Sequence, residues 1–255
     1  MAEYNTMEMM IVAAARTLED GGTVGVGTGA PCAAAMLAQK THAPNLVIMF
    51  EAGGVSPTLP TMPISVGDSR TFYKAFMASG MCEIMETAQR GFVDYTFLGG
   101  AQIDMFGNLN STVIGDWDKP TVRLPGSGGA NDFASFCWRI LVITPQNPRR
   151  FVKKLDFMTS PGYLDGPGAR ERVGLAKDTG PYKVITDMAI MGYDEETKRM
   201  QVESIHQGYK LKQVEENCSF PLLKVPEIVE TPPPSKEELD ILRNEVDPNK
   251  YIIGR

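Results

Sequence analysis

The chain has 255 residues, 43% of them apolar and 22% charged, with a net charge of −6 and a pI near 5.1. That is the composition of an ordinary globular protein. There is no basic stripe to hold nucleic acid, and no run of the roughly 18 apolar residues that a membrane span needs.

Residues 6–19 place Met10, Ala13, Ala14, Thr17 and Leu18 on one face, which predicts an amphipathic helix. Thr6 would cap it, with Met9 where a capping box wants an acid, so the cap is expected to be incomplete. Asp20-Gly21-Gly22 ends it. "TVGVGTG" (23–29) reads as a strand entering a glycine turn, "APCAAAMLAQKTH" (30–42) as a helix of small residues, and "NLVIMF" (45–50) as a second strand. This is a β-α-β unit, the building block of a parallel sheet. Further on, 74–91 contains helix with an interruption at Gly80, and 93–104 is a strand that runs into Gly99-Gly100. Residues 120–137 read as a short strand, a glycine loop and a helix start, and 139–145 as a strand. Residues 182–206 read as strands joined by a hairpin at "DEETKR", which makes that end of the sheet mixed. "PEIVETPPPSKEEL" reads as a Pro-rich linker, after which Ser235 and Glu238 form a capping box for a last helix through about Val246. The expected organisation is one α/β domain over 1–225, an open, mostly parallel sheet with helices on both faces. A linker and helical tail, 226–255, pack on it.

The N-terminus has no Lys or Arg ahead of its apolar stretch, so no signal peptide is read there and a cytoplasmic location is expected. Cys32, Cys82, Cys137 and Cys218 form no CxxC and are expected as reduced thiols. His42 and His206 lie far apart in sequence, which leaves few candidates for a zinc site or a histidine-based triad.

Four glycine turns follow strands: "VGTGAP" (26–31), "EAGG" (51–54), "LGGAQID" (98–104) and "GSGGAND" (126–132). Ligands of open parallel sheets bind beyond the carboxyl ends of the strands, where such turns can offer backbone N–H groups to an anion. The first turn does not complete a dinucleotide fingerprint, and no Walker loop is present. Each turn alone is better explained by tight packing than by catalysis, but four together beside one strand-terminal carboxylate point toward a site. Glu51 stands out because it ends the apolar run Leu46–Phe50. A carboxylate there either turns to solvent and accepts bonds from the N–H groups that follow, or acts as a nucleophile or general base. The residues alone leave both open.

Taken in order, "VGTGAP", "FEAGG", "SVGDSR" (65–70), "GGAQIDMFGNLNSTVIGDW" (99–117), "GSGGAND", "RRFVKKLDFMTSPGYLDGPGARERVGL" (149–175), "VITD" (184–187) and "EVDP" (245–248) resemble the β subunit of class I CoA-transferases, in particular that of glutaconate CoA-transferase. The resemblance covers nearly the whole chain. It implies that Glu51 is the catalytic nucleophile and that Gly128 and Gly129 form the oxyanion hole and bind the CoA thioester. It also implies a cleft lined by Gly27, Gly53, Gly99, Gly100, Gln102 and Asn131. This chain has Ala52 where the family carries Ser or Asn. The implied activity is ping-pong transfer of CoA between a small acyl-CoA and a carboxylic, in particular dicarboxylic, acid through a glutamyl-CoA thioester. It implies no metal and no cofactor beyond the CoA substrates. The implied partner is an α subunit in an α2β2 or larger hetero-oligomer, because only one glutamate motif is present. Two other readings stand beside it. One is an acyl-CoA hydrolase, lyase or decarboxylase on the same scaffold; the other is a non-enzymatic binding module.

Overall fold

The structure, a computed structural model, describes residues 3–254. Contacts divide the chain into two compact units: the residues through Phe97 together with those from Pro233 on, and Leu98–Pro232.

The first unit starts with α1 (Thr6–Ala15), β1 (Thr23–Val26), α2 (Ala30–Lys40) and β2 (Val47–Phe50). Then come β3 (Gly54–Val55), a 3-10 turn (Ser69–Phe72), β4 (Met77–Ala78), α3 (Met81–Gln89) and β5 (Tyr95–Leu98). The cap of α1 differs from expectation. Asn5, not Thr6, is the N-cap: its side chain accepts from the Glu8 N–H while the Glu8 carboxylate accepts from the Asn5 N–H, so the box is complete. The helix expected within 74–91 starts only at Met81, because Gly80 is its cap and donates its N–H to the Glu83 carboxylate. The strands run in the order β5-β1-β2-β3-β4. β1 is parallel to both β2 and β5, and β3 and β4 then turn back antiparallel. Helix α1 packs on α2 and α2 on β1, which explains the run of small residues: Ala33, Ala34, Ala35 and Ala38 are fully buried.

The second unit contains two small hairpins, β6 (Gln102–Ile103) with β7 (Leu109–Asn110) and β8 (Val113–Gly115) with β9 (Pro120–Arg123). These are followed by α4 (Ala130–Phe136), β10 (Arg139–Ile143), α5 (Ala169–Arg172), β11 (Gly180–Ile185), β12 (Ala189–Tyr193), β13 (Met200–Ile205), α6 (Leu211–Glu216) and β14 (Leu223–Glu230). The main run is ordered β14-β13-β12-β11-β10. The expected mixture of directions is present: β10–β11 and β13–β14 are parallel, β11–β12 and β12–β13 antiparallel. Residues 226–230, read as linker, belong to β14. Pro226 is tolerated because β14 ends the run and its register with β13 breaks between Val202 and Ser204.

The last helix, α7 (Lys236–Ile241), carries the capping box of Ser235 and Glu238 and continues as a π turn (Leu242–Val246). It packs on α2 in the first unit. Arg243 reaches Glu8, which is 3% exposed; against the burial that pushes this carboxyl up, the Arg243 guanidinium and the Asn5 N–H hold it below the ordinary range. None of the four cysteines forms a disulfide, and no helix among the described residues is long and apolar enough to cross a membrane.

Candidate active site

In the first unit, the register of β1 and β2 pairs Val26 with Phe50. The next residues, Gly27 and Glu51, therefore leave two neighbouring parallel strands at the same level. β2 is apolar because Ile48, Met49 and Phe50 are buried, so the strand has no other polar side chain to present at its end. Glu51 is half-buried and starts a turn closed by the Gly53 N–H donating to the Phe50 carbonyl at 2.9 Å. Packing calls for both glycines, Gly53 and Gly54, and Gly53 also has a φ of +118°. A Cβ on Gly53 would run into the carbonyl of Ser79, and one on Gly54 into the carbonyl of Thr71. Ser79 donates both its N–H and its hydroxyl to the Gly53 carbonyl at 3.0 Å. The "SVGDSR" motif fixes the backbone behind Gly54: Asp68 caps the 3-10 turn and pairs with Arg70, whose guanidinium also donates to the Met62 carbonyl. Arg70 bonded to Asp68 pulls that carboxyl down to about 2.

In the second unit, Gly99 and Gly100 follow β5 directly, and Gln102 begins β6. Gln102 is buried, and its amide is engaged inside the protein. It donates to Asp156 at 2.9 Å and accepts from the Asp156 N–H at 3.0 Å and from Asn110 at 2.8 Å. Gln102 therefore braces the loop beside the Gly99-Gly100 turn. Arg150 donates to the Gly100 carbonyl, and its burial pulls the guanidinium below its ordinary range.

The loop 126–131 hangs from the same segment. Ser111, next to Asn110, donates its hydroxyl to the Gly126 carbonyl and accepts the Gly126 N–H on its own carbonyl, both at 2.9 Å. Gly126 and Gly128 have φ of +94° and +50°, a region that disfavours side chains. The Ser127 carbonyl accepts from the Ala130 N–H and its hydroxyl from the Asn131 N–H, which closes the first turn of α4. Gly129 is the buried N-cap of that helix, while the Asn131 side chain is exposed. Segment 109–112 thus positions Gln102 and the Gly126–Gly129 loop together. Ser111, Ser127, Asp156 and Arg150 escaped the reading of the sequence; their partners lie on other segments, and only the tight spacing of polar residues in "NLNST" hinted at a bonded knot.

Two strand-end glycines are unexplained by the chain itself. At Gly27 and Gly99 a Cβ would meet nothing within 4 Å, and neither has a positive φ. Gly100, in contrast, is held close to the carbonyls of Asn110 and Gln102. Open space at a strand-end glycine leaves room for something to approach the backbone.

The coenzyme A transferase family pattern matches residues 7–217. The B-type subunit of 3-oxoadipate CoA-transferase from Pseudomonas knackmussii is 41% identical over 244 residues, covering 95% of this chain and 94% of the relative. The B-type subunit of glutaconate CoA-transferase from Acidaminococcus fermentans is 39% identical, covering 98% of this chain and 95% of the relative. The crystal structure of glutaconate CoA-transferase from that organism matches with a TM-score of 0.94 at 36% identity, over 98% of both chains. The decarboxylase AibA/AibB shares the fold, with a TM-score of 0.83 at 23% identity over 98% of this chain and 97% of its own. The chain belongs to the coenzyme A transferase family.

Proposed function

We propose that this B-type subunit of a class I CoA-transferase moves CoA between a small acyl-CoA and a dicarboxylic acid, with Glu51 as the nucleophile. The observation that carries the reading is the half-buried carboxylate at the end of the apolar strand β2, level with the open backbone of Gly27. Glu51 attacks the thioester carbonyl of the donor; the C–S bond breaks, giving a mixed anhydride and CoA thiolate. The thiolate attacks the glutamyl carbonyl of the anhydride, which forms the Glu51–CoA thioester and frees the donor acid as its carboxylate. An acceptor carboxylate runs the same steps in reverse and restores Glu51. One thioester replaces another, so the sequence of steps calls for no ATP, metal or redox cofactor. A carboxylate is already ionised near neutral pH and requires no histidine to activate it. What the steps do require is hydrogen-bond donors for each tetrahedral oxyanion, a role assigned to the backbone N–H groups of Gly128 and Gly129, and exclusion of water.

The dicarboxylic class is supported by the two relatives near 40% identity, whose names specify 3-oxoadipate and glutaconate. Both are named as one lettered subunit of an enzyme, which supports an α-type companion for this chain. The test is turnover by the chain co-purified with that companion. CoA transfer from acetyl-CoA or glutaryl-CoA is expected only when an acceptor acid is added, and none from this chain alone. Acceptor-independent release of CoA would move the reading to a hydrolase on the same scaffold.

A further inference from the structure

A guanidinium without an acid stands at the turn after β5. Arg70 and Arg243 pair with Asp68 and Glu8. Arg170 has no acid in hydrogen-bonding contact, but its buried guanidinium is fully engaged: it donates to four backbone carbonyls and to the Thr179 hydroxyl. Arg150 is half-buried and its guanidinium makes one bond, from Nη1 to the Gly100 carbonyl. Its Nε is buried without a partner, and among the described residues no acid pairs with it. Asp156, the acid bonded to this loop, is taken by the Gln102 amide and the Gly115 N–H. A charge withdrawn from water in this way is costly unless an opposite charge meets it. The neighbouring Gly99 is exposed, and a Cβ there would meet nothing within 4 Å, so the turn is open to an approaching molecule.

We infer that Arg150, at the Gly99-Gly100 turn, binds the unreacting carboxylate of the acid substrate and so selects dicarboxylic over monocarboxylic acids. The inference deepens the transferase reading and rests on it. Nε is enclosed, but Nη1 keeps a second N–H and Nη2 has no partner in the chain. That outer edge of the guanidinium offers two parallel N–H groups at the spacing of two carboxylate oxygens. One guanidinium also matches one carboxylate in charge, whereas the phosphates of CoA carry several charges and call for more than one cation. In a ping-pong transfer the acid enters after the donor has left, so this contact belongs to the acid's half of the reaction.

The test uses the full chain co-purified with its α-type companion, acetyl-CoA as donor, and as acceptors dicarboxylates of four to six carbons and monocarboxylates of the same lengths. Fold is followed by thermal unfolding. Arg150→Gln, which keeps a neutral donor, is expected to lower kcat/KM for the preferred dicarboxylate at least tenfold. It should change kcat/KM for acetyl-CoA and for the monocarboxylates by less than twofold. Arg150→Lys, which keeps the charge without the fork, should fall between. The control is Arg199→Gln, expected to change none of these. Arg199 also has a buried, unpartnered Nε and one carbonyl partner, that of Pro221, but it sits on the hairpin after β12. If Arg150→Gln fails to fold, Arg150→Lys decides, with a loss of dicarboxylate preference of at least threefold expected. An unchanged preference in the folded variant overturns the inference and leaves the transferase reading standing. A fall of equal size for both acid classes makes Arg150 a brace for Gly100 and overturns it. A fall confined to acetyl-CoA assigns the guanidinium to a phosphate of CoA and overturns it. A wild-type complex that transfers CoA to no dicarboxylate overturns the inference together with the dicarboxylic reading beneath it.

Discussion

At the turn after β2, the carbonyls of Ser79 and Thr71 stand where the side chains of Gly53 and Gly54 would be, and Gly53 also has a φ of +118°. In the loop 126–131, Gly126 and Gly128 answer to their own backbone angles, while Gly129 sits at φ −82°, ψ 3°, which any residue can adopt. The two glycine turns look alike in the sequence, yet close packing against neighbouring carbonyls marks the first, while Gly126 in the second has open space around it. In the first, glycine serves the fold, and on the proposed reading the adjacent acid serves the chemistry. In the second, glycine shapes the loop, and on the proposed reading its backbone N–H groups are the oxyanion donors. A glycine whose absence of side chain is explained by neither packing nor conformation, such as Gly27 or Gly99, is where a substrate contact is most economically placed.

Substitutions should separate these roles. Gly129→Val keeps an allowed backbone and sets a bulky group beside the proposed oxyanion donor. It should lower kcat by about 100- to 1000-fold, or about 3 kcal/mol of transition-state stabilisation, more than it lowers stability. Near wild-type kcat in a folded variant would remove Gly129 from the mechanism. Gly54→Ala should do the reverse. The new methyl collides with the Thr71 carbonyl, so unfolding by urea should show a loss of about 1–3 kcal/mol or more, as in other overpacked sites. Gly27→Ala should leave stability within about 0.5 kcal/mol, since nothing stands within 4 Å, yet raise KM for acyl-CoA. An unchanged KM would make Gly27 an idle glycine.

The smallest expected effect lies away from both glycine pairs. His206 is buried and its Nε2 faces the Thr186 carbonyl at 2.9 Å, so that nitrogen carries the proton; Nδ1 has no hydrogen-bond partner. Burial holds its pKa below the ordinary value, against the pull of Asp187. The unfolded chain therefore takes up a proton first as pH falls through about 6.5, and stability contributed by the neutral ring is lost below that pH. Thermal unfolding at pH 7.5 and 5.5 should show a lower melting temperature in acid, and His206→Gln should reduce the difference.

Reading the sequence worked where one local rule governs. The apolar run ending on Glu51, the capping box of Ser235 and Glu238, and the hairpin over 194–199 depend on neighbours a few residues away. It failed where two signals overlapped or partners were distant. Asn5 outcompetes Thr6 as the cap because only Asn5 has an acid, Glu8, at the right spacing. Pro226 reads as a linker residue until the register break and edge position of β14 are known. β3 and β4 are each two residues long and are defined by pairing rather than by periodicity. Gln102 illustrates the limit for the site. Its place beside the Gly99-Gly100 turn was legible, but its bonds to Asn110 and Asp156 were not, because Asp156 lies 54 residues away. The pairing of Asp68 with Arg70 is local, yet its purpose, to hold the backbone behind Gly54, is visible only in three dimensions.

The central claim is that Glu51 becomes covalently loaded with CoA, and trapping that intermediate tests it directly. The complex with the α-type companion is incubated with donor acyl-CoA and no acceptor, then treated with borohydride or hydroxylamine, which attack a thioester and leave a free carboxylate alone. Peptide mass spectrometry should find the modification within "APNLVIMFEAGGVSP", on Glu51, only when acyl-CoA was present and in proportion to the activity lost. Glu51→Gln should abolish both labelling and transfer and keep its fold. Label on a different glutamate, or transfer that persists in Glu51→Gln, would contradict the account.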